Sequence, residues 1–130
     1  MQPLAKQIIL FDNSLLDPNV KEFITAANIS NPIIISALNT FVLNLKANNI
    51  WNLFYAIYPL VGGTSTTHKY NLVNTTLYTC TYIGGVTHDQ NGITYNGINS
   101  STNFQMAAYI QQLNSISLSV YSRTNGGAGG

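Results

Sequence analysis

The sequence predicts an α+β chain, a helical hairpin followed by an antiparallel β-sheet, and three observations lead there. Before Ile50, apolar residues recur at steps of three and four, the period of an amphipathic helix. After Leu72, short runs rich in Thr, Tyr, Val and Ile are cut by Gly and Asn, as strands are by turns. Between them, the stretch Ile50 to Leu72, IWNLFYAIYPLVGGTSTTHKYNL, carries the change of period. At 130 residues the chain has the size of one domain with one core.

Residues 1–16 are expected to form an extended arm. Ile8-Ile9-Leu10-Phe11 reads as a short strand or arm, Asp12-Asn13-Ser14 as the turn after it, and such an arm docks on a neighbour. Residues 17–58 form a helical lead-in. Asp17 and Pro18 supply a side-chain cap and a proline at the first helical position, predicting a helix to about Ala27 with Val20, Phe23, Ile24 and Ala27 on one face. Asn28 is its stop. Ser30 is the expected cap of a second helix, with Ile34, Leu38, Phe41, Val42 and Leu45 inward and Ser36, Asn39, Thr40, Asn44 and Lys46 outward, until Asn48-Asn49. A third turn spans Trp51 to Tyr55, where Ile50, Trp51 and Phe54 share a face, and Pro59 ends any helix.

Residues 59–125 are expected to form the β domain. Thr64 to His68 is polar and turn-like, and Tyr70-Asn71-Leu72 resumes strand character. Leu77 to Ile83 alternates, with Leu77, Thr79, Thr81 and Ile83 on one side and Tyr78, Cys80 and Tyr82 on the other. Gly84-Gly85 breaks that strand. Val86-Thr87-His88 and Ile93-Thr94-Tyr95 flank Asp89-Gln90-Asn91-Gly92, whose Asn-Gly pair suits the positive backbone angles of a hairpin turn. Asn96 to Asn103 reads as loop, and Phe104 to Leu113 fits either a helical turn or an irregular rim. Ile116, Leu118 and Val120 alternate with Ser117, Ser119 and Tyr121 in a half-buried strand, and residues 126–130 form a Gly-rich tail or linker.

Composition excludes several classes of function. Charged residues are 7% of the chain against 45% apolar, the reverse of the balance in a disordered chain. With a net charge of +1 and its cations, Lys6, Lys21, Lys46, Lys69 and Arg123, scattered, the chain offers no basic stripe for nucleic acid. Cys80 is the single cysteine, so no intrachain disulfide forms. Asp12 and Asn13 break the first apolar run, and neither a signal peptide nor a membrane span is read.

No catalytic, cofactor-binding or metal-binding residue is predicted. Glycoside hydrolysis needs facing carboxyl groups, and of the four acids, Asp12, Asp17 and Glu22 lie in the helical third while Asp89 stands alone at a hairpin tip. Cys80, in the middle of an alternating strand, reads as a small core hydrophobe rather than a nucleophile served by His68 or His88. His68, His88 and Asp89 lack a compact ligand spacing for zinc, and Asp89-Gln90-Asn91 suits a turn better than calcium. Asn-x-Ser/Thr triplets at Asn28, Asn74 and Asn99 are expected by chance in a chain so rich in these residues. Aromatic rings beside Asn-rich loops suit sugar binding, and Trp51, Tyr95 and Asn96 are the candidate glycan-binding residues. The competing role for Trp51, Tyr55 and Tyr58 is packing between helix and sheet.

Three segments carry a family resemblance. They are Phe23 to Ile29, FITAANI; Ile50-Trp51 through Ala56-Ile57-Tyr58-Pro59-Leu60-Val61-Gly62-Gly63-Thr64 to Thr67-His68-Lys69-Tyr70-Asn71-Leu72; and Ser119 to Asn125, SVYSRTN. Gly84 to His88 and Ile93 to Gly97 fit the same pattern. Over about residues 17–125 the chain resembles bacteriophage structural proteins of fibre or spike type, which carry a concanavalin A-like, laminin-G-type jelly roll behind a short helical lead-in. The resemblance implies a jelly-roll or sandwich-like sheet and a location in the virion. It implies other virion proteins as partners, a homo-oligomer, and, as the alternative role, recognition of a cell-surface glycan. It transfers no functional residue. A full jelly roll needs more strands than follow Trp51 here, so the expected sheet is incomplete: either the sequence is a fragment, or another chain supplies the missing strands, or the fold has shrunk to an open sheet, whose edges favour pairing with neighbours.

Overall fold

The computed structural model describes residues 12–106 and 114–123, and shows a mixed α+β chain. The expected strand within the N-terminal arm, most of the ambiguous stretch after Phe104 and the Gly-rich tail lie outside the described residues. The turn after the arm is a 3-10 turn, Asn13–Leu15, capped by the Asp12 carboxylate, which accepts from the Ser14 N–H.

Helix α1, Pro18–Ala26, starts where the Asp17 side chain accepts from the Asn19 N–H, with Pro18 at the first position. Helix α2, Pro32–Ala47, repeats this start one residue later than expected: Asn31, not Ser30, is the cap, accepting from Ile33 and Ile34. The reason is Pro32, which occupies the first helical position and makes its predecessor the cap. Both helices also end alike. Asn28 (φ 55) and Asn49 (φ 58) adopt the left-handed conformation, and the next residues, Ile29 and Ile50, donate back to the carbonyls of Ile24 and Leu45. Asparagine here takes the place that glycine usually fills, since its short polar side chain tolerates positive φ.

The core is built by these helices and the chain that follows them. Leu16, Val20, Phe23, Ile24, Ala27, Ile29, Ile35, Leu38, Val42, Trp51 and Leu72 form one buried cluster. Helix α2 is rotated relative to expectation, with Ile35 buried and Phe41 44% exposed. Nor is the face of Asn39 and Lys46 free: the Asn39 side chain accepts from the Asp17 N–H, and the Lys46 ammonium donates to both Asp17 carboxylate oxygens and to the Asn19 side-chain oxygen Oδ1 at 2.8–2.9 Å. The acid that caps α1 thereby clamps the end of α2.

Four expectations about the chain between Thr64 and Asn103 are corrected. Thr64 to His68 is a helical turn, α3 (Ser65–His68), held by a reciprocal Thr64–Thr67 capping box. Tyr70-Asn71-Leu72 is not a strand: Asn71 is fully buried, bonding the Ile57 and Val73 N–H groups and the Tyr55 and Leu77 carbonyls, and so replaces a strand ladder with a side-chain one. The strand expected from Leu77 begins only at Thr81, because Tyr78 has φ 57. Asn96 to Asn103 is not loop throughout, since its end pairs as a strand.

Among the described residues the strands are β1 (Thr81–Ile83), β2 (Val86–Asp89), β3 (Gly92–Tyr95) and β4 (Ser101–Asn103). They form two antiparallel pairs, β1 with β4 (Tyr82 opposite Thr102) and β2 with β3 (Thr87 opposite Thr94). The β2–β3 hairpin stands as expected, but its turn is built differently. Gln90 and Asn91 are its central residues, the Asp89 carboxylate accepts from the Asn91 N–H at 2.7 Å, and the positive φ falls on Gly92 (118°) alone. The stretch with Ile116, Leu118 and Val120 is neither a strand nor half-buried: these side chains are 51%, 84% and 78% exposed.

Candidate functional site

The chain has two histidines, and the fold brings them together. His68 ends α3 and His88 lies in β2, yet their Nδ1 atoms are 3.0 Å apart and their rings are tilted at 45°. His68 is 1% exposed. Its other ring nitrogen, Nε2, accepts the Gly63 N–H at 3.2 Å. Gly63 has φ 78, a left-handed conformation that aims this N–H inward and that glycine adopts without penalty.

These contacts fix where the protons sit. Because His68 Nε2 accepts, its proton is on Nδ1, which donates to His88 Nδ1, and neutral His88 carries its own proton on Nε2. The two nitrogens that face each other are thus a donor and an acceptor, rather than two open lone pairs for a metal.

Tyr82 packs on the pair, and Cys80 lies beside Tyr82 and Tyr58. The Tyr82 hydroxyl donates to the His68 carbonyl at 2.8 Å, and its ring meets His88 edge-on at 4.5 Å. The Tyr58 hydroxyl donates to the Tyr78 carbonyl, and the Cys80 N–H to the Lys69 carbonyl. Burial holds both histidines below their ordinary value; His88 adds to this at His68, while the Asp89 charge works in the opposite direction. Burial pushes the Cys80 thiol up to about 11, outweighing the pull of Tyr58 and Tyr82, so it is a protonated core group at neutral pH. Tyr58 and Tyr82 are raised by burial as well.

The three glycan candidates are placed apart. Trp51 is 9% exposed, part of the core cluster, with the Lys46 ammonium 5.2 Å from its ring centre. It also borders a shallow depression with Lys46, Asn49 and Asn52. Tyr95 is 42% exposed and its hydroxyl hydrogen-bonds Thr102, tying β3 to β4. The Asn96 side chain is engaged in its own loop: its Oδ1 accepts from Ile98 and Asn99 and its Nδ2 donates to Asn99. No hydrogen bond or ring contact described joins Trp51 to Tyr95 or Asn96.

The sequence suggests His68 and His88 as metal ligands or as partners of Cys80, and gives no expectation of their mutual bond. A signal was present: each histidine follows a threonine and, a few residues earlier, a Gly-Gly pair, in Gly62-Gly63…Thr67-His68 and Gly84-Gly85…Thr87-His88. The chain matches no family model, no curated protein and no solved structure.

Proposed function

We propose that this chain is a non-enzymatic structural protein of a bacteriophage virion, part of a fibre, spike or other surface appendage, and works inside a multichain assembly. The observation that carries this proposal is a pair of narrow sheets with open edges, together with exposed apolar side chains in the later chain. Each sheet stops at two strands among the described residues, and Ile83, Tyr95, Ile116, Leu118, Val120 and Tyr121 are all at least 42% exposed. Two-stranded pairs are marginal alone and present unpaired backbone at both edges, so neighbouring chains stabilise them by adding strands. The four strands then belong to an incomplete jelly roll or sandwich whose faces are closed between subunits. The virion setting comes from the resemblance of the segments quoted above.

Three of the four acids are occupied structurally, Asp12 by the cap of the 3-10 turn, Asp17 by the α1 cap and Lys46, and Asp89 by the hairpin turn, which agrees with a non-catalytic role. A glycan-binding module for host recognition is the second reading, favoured by the polar depression at Trp51, Lys46, Asn49 and Asn52. Light scattering on the purified chain tests the choice. A defined multimer is the expected result; a stable monomer that binds a glycan array, and loses that binding on Asn52→Ala, overturns it in favour of the module.

A further inference from the structure

We propose that the His68–His88 pair is a proton-operated clasp that holds the β2–β3 hairpin on the helical core at neutral pH and releases it in acid. The clasp is the side-chain hydrogen bond between α3 and β2, and it requires both rings to be neutral. A proton added to His88 goes to Nδ1, the acceptor, and sets two N–H groups against each other. A proton added to His68 goes to Nε2 and expels the Gly63 N–H. Either event breaks one of the two bonds that tie the Gly62-Gly63 loop, α3 and β2 together.

The groups facing the pair do not rescue the charged form. From β1, Tyr82 offers its hydroxyl to the His68 carbonyl and its ring to His88. From β2, the Asp89 charge acts on His68 in favour of the charged form but is outweighed by burial and His88, and its Oδ1 is engaged by the Asn91 N–H. Lys69, next along the chain, has its ammonium 5.0 Å from the Tyr70 ring centre. Cys80 stays protonated.

The sign follows. Both folded values lie below the ordinary value, so the contribution of the clasp is complete above about pH 6.5, the ordinary histidine value, and declines as pH falls from there towards the folded values. Opening takes up one proton or two, so its equilibrium constant rises up to about tenfold per pH unit for each.

Hydrogen exchange on the full-length chain, with nitrogen-detected histidine tautomers, tests this. The expected tautomers at neutral pH are Nδ1–H at His68 and Nε2–H at His88. Protection factors of the Val86 to Tyr95 amides should fall below about pH 6.5 while those of α1 and α2 hold. The variant His88→Asn places a carbonyl oxygen near the accepting nitrogen without a titrating ring, and is expected to keep neutral-pH protection while roughly halving the slope in acid. Opposite tautomers, parallel loss of protection in helices and hairpin, or a hairpin equally unprotected at all pH values would each overturn the proposal. An unchanged acid response in His88→Asn would do so too.

Discussion

The helical part of this chain builds the core and the strand part does not, although both leave large apolar side chains exposed, Ile33 (77%) and Leu53 (73%) among them in the helical part. Among the described residues, every side chain of the buried core cluster comes from Leu16 to Leu72, and β1 to β4 contribute none to it. Yet the strand part is not polar: Ile83, Tyr95, Ile98, Leu118 and Val120 are large, apolar and exposed. The difference teaches that apolar content does not make a core. A helix buries a whole stripe against one neighbour, while a strand of three or four residues buries a face only when a sheet is wide enough to be covered.

Substitutions can break that comparison, and the largest effect is expected at Phe23, which is fully buried. Phe23→Ala should cost roughly 4 kcal/mol in urea unfolding, whereas Leu118→Ala, at 84% exposure, should move the monomer by no more than about 0.5 kcal/mol. Similar losses at the two positions would mean that the strand part has a core of its own. Next comes Asn71→Ala, which strands four backbone groups around a buried side chain and should cost roughly 3 kcal/mol by the same measurement. A loss as small as that of a surface asparagine would show that water replaces those bonds. Smallest among the core changes is Asp17→Ala, which removes the α1 cap and the partner of the one-third exposed Lys46, for a loss of about 1 kcal/mol. Helix content by circular dichroism should then fall slightly, with fraying at the start of α1. These changes leave the oligomer test informative, since Leu118→Ala should weaken any multimer while sparing the subunit.

Legibility of the sequence fell with sequence separation. The starts of α1 and α2 were marked by Asp17-Pro18 and Asn31-Pro32, although the second was placed one residue early at Ser30, and both ends were marked by asparagines. The hairpin was legible too, though its positive φ sits on Gly92 only. The glycan candidates illustrate the opposite case: Trp51, Tyr95 and Asn96 have the right chemistry, but exposure and competing hydrogen bonds, which decide availability, are not sequence properties.

By itself, then, the sequence determined the starts and ends of α1 and α2 and the β2–β3 hairpin. Caps, a proline at the first turn, left-handed asparagines and period are interactions within a few residues, so composition and order suffice. Only the tertiary structure decided that β1 pairs with β4, that Asn71 replaces a strand ladder, and that His68 meets His88 from 20 residues away. Each of these depends on which surfaces the core leaves open and on the entropy of closing the chain between them, quantities that belong to the folded whole.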